Sequence, residues 1–437
     1  MTEAAITGLG LITSAGRGAD EHMQQIKEYK TGIREIEGGN RLCKFLGVVD
    51  NISFDFEIPA KLSGQMKFLN RGSVLGLSAA LNALKDGGLS LESYSGIAPG
   101  RRALYIATGD FTKVGYDFMY PATKPATSGH FTATDYEKLN KSALDKVSPF
   151  FLLESIANNL FSVLSAIMDF KGPNTTLSSL SPCGGHALEL ALQSIRQGRA
   201  DMAVAVGCGS WLSPVPLYEL DGLGMLSGCN GGAGSFRPFD RRRDGFIAGE
   251  GGAAILLERH DTAKSRGAGI YGFIRGVGNY VELSGTPTIS VPDKVTEKCM
   301  QMALRQSNME VSELSFISPH GSGTKKGDAS EIRSILSIIG GTPTAVCGLK
   351  PYTGHMGAAS DIGEIIMGIM AIREGIIPAT PNFSLMDRGF TEAGADKKIL
   401  LSAEHIPASE GGGRNTFLSV SYGIGGQSSA VVVETTG

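Results

Sequence analysis

Residues 171–209, KGPNTTLSSLSPCGGHALELALQSIRQGRADMAVAVGCG, carry the pattern that sets the fold. Thr175–Ser179 reads as a short strand. Gly184–Gln197 has helical spacing, and Gly198 closes it. Met202–Gly207 is an apolar run of strand length, of the kind buried on both faces. Strand, helix and apolar strand in so short a span imply an α/β unit with covered sheets. Between the first strand and the helix stands Ser181-Pro182. Serine before proline marks a helix start, with Ser181 as N-cap and Pro182 as the first helical residue. Capping is the ordinary role of such a serine. The same junction also places a hydroxyl at the positive end of a helix, where a nucleophile would sit.

Working outward, Ala4–Leu9 and Ala103–Ala107 read as strands. Arg71–Asp86 reads as a helix stopped by Gly87-Gly88, and Pro149–Phe170 as mostly helical. Gly249–Glu258 reads as a strand closing a first half. Strand Tyr271–Val281, helix Lys294–Ser307, strand Leu314–Ser318 and helix Asp328–Gly340 then begin the plan again. A short strand near Val346, helix Ala358–Arg373 and strands Phe417–Ser421 and Ser429–Glu434 complete it. This order implies a duplicated α/β unit, with halves at residues 1–260 and 261–437. Gly109–Lys146, rich in Thr, Tyr, Pro and Lys, reads as an inserted excursion of the kind that lines substrate or subunit contacts.

Composition narrows the functional classes. The 437 residues are 42% hydrophobic and 19% charged, with a net charge of −3. That is a globular chain without an electrostatic footprint for nucleic acid or an anionic membrane. No run approaches the roughly 18 apolar residues of a membrane span. The start, MTEAAITGLG, lacks a basic region, so no signal peptide is expected and the location is cytoplasmic. The cysteines form no CxxC pair, which fits free thiols rather than disulfides or zinc.

Four further segments carry chemistry-bearing residues. ISPHGSGTKKGD at 317–328 and KPYTGHMGAASDIGE at 350–364 each set a histidine, His320 and His355, in a glycine-flanked loop. Either alone is most simply an imidazole bonding backbone; a pair on parallel motifs reads as two donors. In RPFDRRRDGFIAGEGGAAILLE at 237–258, Asp240, Arg243 and Asp244 read as a structural ion-pair turn, and the Arg241–Arg243 run as a solvated face. SYGIGGQ at 421–427 is a glycine loop between strands, not a phosphate loop, because no GK[ST] follows.

Taken in this order, with AAITGLGLITSAG at 4–16, the segments resemble the β-ketoacyl-ACP synthases, the ketosynthase branch of the thiolase superfamily. The resemblance covers nearly the whole chain. It implies a thiolase fold, with duplicated α/β halves in a layered αβαβα arrangement. It implies acyl carrier protein bearing acyl or malonyl groups as partner, a homodimer or a heterodimer with another ketosynthase, and no cofactor or metal. In the family a cysteine takes the acyl group. Two histidines stabilise the thioester oxyanion as the malonyl group loses carbon dioxide, and the carbanion attacks the acyl-enzyme. Carried over, the histidines are His320 and His355. Lys350 and Glu331 resemble the pair that orders the site. Gly423, Gly425 and Gly426, with Thr324, line the substrate site, and Ile424 stands where many members have a gating phenylalanine.

Counting back from Gln193–Arg196, the nucleophile position falls on Ser181. Cys183, two residues on, lies about 200° round a helix from it. A hydroxyl without an adjacent base is a far poorer nucleophile than a thiolate. Three readings follow. The chain is a ketosynthase homologue that keeps decarboxylation and transfers acyl groups poorly; or a chain-length-factor-like, non-elongating partner; or an active synthase whose cysteine was exchanged for serine. Gly184-Gly185 resembles the small-residue pair of chain-length factors. A thiolase is disfavoured because no cysteine follows Cys347.

Overall fold

The computed structural model describes residues 2–37, 44–52, 58–91, 93–94, 96–109, 116–127, 133–154, 156, 158–179, 181–285, 291–409 and 414–436. Its core strands are β1 (Ala4–Thr13), β2 (Arg102–Thr108), β3 (Asn174–Ser178), β4 (Met202–Ser210), β5 (Glu250–Arg259) and β6 (Gly272–Val281). Then come β7 (Phe316–Ser318), β8 (Thr344–Val346), β9 (Ile399–Leu401), β10 (Thr416–Tyr422) and β11 (Gln427–Thr435). The helices that matter are α1 (Arg71–Asp86), α2 (Cys183–Arg196), α3 (Glu297–Ser307), α4 (Lys325–Ile339) and α5 (Ala358–Arg373).

The strands share one sheet in the order β9-β8-β7-β10-β11-β6-β1-β5-β4-β2-β3. The order is mirrored about the β6–β1 seam. On one side β1–β5 and β5–β4 are antiparallel, while β4–β2 and β2–β3 are parallel. On the other, β6–β11 and β11–β10 are antiparallel, while β10–β7 and β7–β8 are parallel. The seam is short: Ala5 faces Phe273 and Ile6 faces Gly272.

Side-chain alternation builds the layers. Along β4, Ala203 and Ala205 face a cluster that holds α2 and α5, while Met202, Val204 and Val206 face one that holds α1. Small residues inside and larger ones outside let two helices fit between the sheet halves. α1 covers one outer face; α3 and α4 cover the other. Glycines set the spacing in both halves. A Cβ on Gly10 of β1 would lie 1.9 Å from Ala79 O of α1, and one on Gly278 of β6 would lie 2.1 Å from Cys299 O of α3. The αβαβα arrangement matches the expected thiolase fold.

α1 and α5 have the expected ends. The helix expected from Lys294 begins later, at Glu297, and Val295 N and Thr296 N ahead of it donate to the hydroxyls of Ser330 and Ser334. In the excursion, Tyr116–Ala126 and Tyr136–Lys146 are helical; residues 110–115 and 128–132 lie outside the described residues. No helix among the described residues is long and apolar enough to cross a membrane.

Candidate active site

The N-terminal ends of α2 and α5 meet in the middle layer. Ser181, just before α2, is buried. The expected cap is corrected here. Pro182 is the N-cap, the helix opens at Cys183, and the Ser181–Pro182 peptide is cis. Ser181 Oγ donates to Gly357 O, at the N-cap of α5, over 3.2 Å. The unpaired helix donor Gly184 N goes instead to Asp361 Oδ2 at 3.0 Å. The start of α2 is therefore capped by a carboxylate from α5. Gly184 makes room for it, since a Cβ there would lie 2.7 Å from Asp361 Cβ. Cys183 turns away, its Sγ donating to Ser179 O at 3.0 Å, and does not line the cavity.

Ser181, His320 and His355 share a cavity of about 400 Å³, with Trp211, Tyr422, Gly423 and Ile424 in its wall. The two imidazole Nε2 atoms are 3.3 Å apart. Gly357 N donates to His355 Nδ1 at 3.2 Å, and Tyr422 N to His320 Nδ1 at 3.5 Å. A neutral imidazole whose Nδ1 accepts carries its hydrogen on Nε2. Both rings thus aim a donor at one locus, the geometry that stabilises an oxygen as it gains negative charge. Burial holds both rings well below the usual histidine range. Lys350 adds to this for both, and His355 adds to it for His320.

The rings are fixed from several sides. Trp211 and Phe246 flank His355 with centroids 4.7 and 4.8 Å away, and Tyr422 packs on His320 at 4.3 Å. His355 N donates to Ile247 O at 2.8 Å, and Gly249 N donates to His355 O at 2.9 Å. The 237–258 segment is therefore a clamp on His355. Sequence reasoning missed Trp211 and Phe246, which carry no spacing signal.

Glu331 accepts from His320 N at 2.6 Å and Gly321 N at 2.8 Å, which pins that loop. The expected pairing of Lys350 with Glu331 is corrected. Both Glu331 oxygens are taken by backbone, and Lys350 Nζ lies 2.7 Å from Glu364 Oε1. Burial lifts Glu331 to about 8 and Glu364 to about 7, in each case against the pull of Lys350. Arg243 is also corrected. It is buried, 3.3 Å from Asp328 and 2.7 Å from Asp387, while Arg241 and Arg242 are exposed. Asp244 bonds Ser227 Oγ at 2.7 Å rather than an arginine. Thr324 lines the outer cavity and caps α4 by accepting from Gly327 N. Gly425 and Gly426 stand off the wall, because their φ of 96° and 85° serve to turn the loop.

Comparison with known proteins agrees with this architecture. The family model for the β-ketoacyl synthase N-terminal domain matches residues 1–263, and that for the C-terminal domain matches residues 271–384. The chain is 26% identical over 391 residues to 3-oxoacyl-acyl-carrier-protein synthase 2 of Vibrio harveyi, covering 88% of this chain and 89% of that one. It superposes with a TM-score of 0.82 and 22% identity, over the full length of both chains, on a structure of a polyketide synthase acyl carrier protein in complex with its ketosynthase. On the ishigamide ketosynthase/chain length factor the TM-score is 0.81 at 23% identity, again over both full chains. At such identities these structures testify to fold alone.

Proposed function

The chain belongs to the β-ketoacyl synthase family, and from that premise we propose that it is a condensing protein of fatty-acid or polyketide synthesis acting on malonyl and acyl groups carried by acyl carrier protein. The work is divided along the chain: residues 1–260 supply the nucleophile position and residues 261–437 the paired imidazoles. The malonyl thioester oxygen sits between the Nε2 donors of His320 and His355, which stabilise the enolate as carbon dioxide leaves. Glu331 and Lys350 hold those rings and their charge state. Ser181 stands where the family's cysteine stands and accepts acyl groups slowly, because the field at a helix start does not bring an alcohol near neutrality. The carbanion then attacks the acyl carbonyl. The partner is a second ketosynthase-fold subunit, identical or different.

The observation that carries this reading is the pair of Nε2 atoms 3.3 Å apart in the cavity that also holds Ser181. Incubation with malonyl-acyl carrier protein tests it. Carbon dioxide release is expected, and His320→Ala or His355→Ala should each lower it by about 10²–10³-fold, as for loss of one oxyanion donor. Absence of release by the parent chain would overturn it in favour of a non-elongating, chain-length-factor-like subunit. The glycine pair favours that second reading, but each glycine has a packing role in this chain. A Cβ on Gly184 meets Asp361, and one on Gly185 would lie 2.2 Å from Ser429 Oγ.

A further inference from the structure

We propose that Asp361 is the general base for Ser181, so that the two form a serine–aspartate pair that takes an acyl group from a thioester as an oxygen ester. This rests on the reading of Ser181 as the nucleophile and names the residue that keeps its hydroxyl reactive.

Asp361 is buried in the first turn of α5 and lies outside the Lys350–Glu364 ion pair. One of its oxygens is committed, since Oδ2 caps α2 through Gly184 N at 3.0 Å. Among the described residues, Oδ1 has no partner of ordinary hydrogen-bond geometry. The hydroxyls of Ser181 and Ser421 nevertheless lie close enough to favour the ionised form. A buried carboxylate oxygen left free beside a buried hydroxyl is a costly arrangement for structure alone, since the Oδ2 cap needs only an amide or hydroxyl acceptor. The Ser181 hydroxyl donates to the Gly357 carbonyl, one turn before Asp361 on the same helix, at 3.2 Å, so its hydrogen must swing from that carbonyl to Asp361 Oδ1 as the reaction begins. Burial lifts Asp361 to about 6, against Lys350, Ser181, Gly184 N and Ser421, which makes it a stronger base than an ordinary aspartate.

The step balances. Ser181 Oγ attacks the thioester carbonyl as its proton passes to Asp361 Oδ1. The carbon–sulfur bond breaks, and the leaving thiolate takes that proton from Asp361. The products are the Ser181 ester and the free thiol of the carrier protein.

The test compares Asp361→Asn in two backgrounds, the parent and Ser181→Cys. The probes are acetyl- and octanoyl-acyl carrier protein, and the adduct is followed by intact mass. Asparagine keeps an oxygen for Gly184 N. In the parent the ester should form at least about 10²-fold more slowly with Asp361→Asn, the low end of general-base effects. In the Ser181→Cys background the same change should speed adduct formation by about twofold or more, because removing a neighbouring negative charge favours the thiolate. A similar fall in both backgrounds makes Asp361 a helix cap only and overturns the proposal. So does an unchanged rate in the parent. An adduct with Ser181→Cys but none with the parent also overturns it, while leaving the nucleophile position in place. No adduct in either background removes the nucleophile reading itself. Should Asp361→Asn fail to fold by thermal unfolding, Asp361→Ser, which keeps a neutral acceptor, carries the same expectations.

Discussion

α2 and α5 occupy the same layer and open at the same point, yet they are built differently. α2 buries Ala187, Leu188, Ala191, Leu192 and Ile195 and no carboxylate. α5 is buried nearly all round and carries Asp361 and Glu364 inside a run of Ile, Ala, Met and Gly. One helix is scaffold with a hydroxyl at its mouth. The other stores charge beneath two imidazole loops. A duplicated fold has thus put apolar packing in one copy and electrostatics in the other.

The largest expected break in that contrast is Lys350→Met, which leaves Glu364 buried and unpaired. It should cost about 3–5 kcal/mol by urea unfolding near pH 9, where Glu364 is ionised, as when one partner of a buried pair is removed. Burial raises the folded value of Glu364 to about 7, from 4.5. Stability from such a carboxyl is fully present below its unfolded value and is lost as pH rises through the folded one. The deficit should therefore narrow in acid; a pH-independent deficit would contradict the charge assignment. Next is Gly184→Ala, whose Cβ would meet Ala358 O at 2.6 Å and Asp361 Cβ at 2.7 Å. Overpacking there should cost about 1–3 kcal/mol by the same measurement, and a neutral result would mean that the two helices yield easily. Ser181→Cys sharpens the contrast from the α2 side: acyl-adduct formation should rise about tenfold or more by intact mass. No gain would count against position 181 as the acyl acceptor. The smallest effect is a flat one. Because both imidazoles are held below their usual range, neither ring should titrate between pH 8 and pH 6 by NMR, and any change of decarboxylation in that window follows Glu331 and Glu364 instead. A ring signal that moves with a midpoint near 6.5 would show that a ring takes a proton there.

Much of this was legible in the chain. The ends of α1 and α5 followed from Gly87 and from the spacing of Ala358–Arg373, and the unbroken apolar run of MAVAVG pointed to a strand covered on both faces. Ser181, His320 and His355 could be named because the ordered motifs resemble those of the ketosynthases; local pattern alone left Ser181 a helix cap and each histidine an imidazole bonding backbone. What stayed hidden was who pairs with whom. Lys350 and Glu331 look like partners by motif, yet each Glu331 oxygen accepts from backbone and Glu364 lies nearer to Lys350. Asp361 and Glu364 could not be placed because a helix buried on every side has no solvent face for a charge to mark. Arg243 reads as one of three surface arginines, and only the fold of 237–245 against α4 takes it inside.

The cap on α2 also bears on how the molecule is made. Gly184 and the carboxylate that completes its helix are 177 residues apart in the chain. During synthesis from the N-terminus, the first half emerges with that helix start unfinished and the serine turn unsupported. The turn at Ser181 takes its final form only after α5 has been translated and docked, so correct assembly of the second half is a checkpoint for the first.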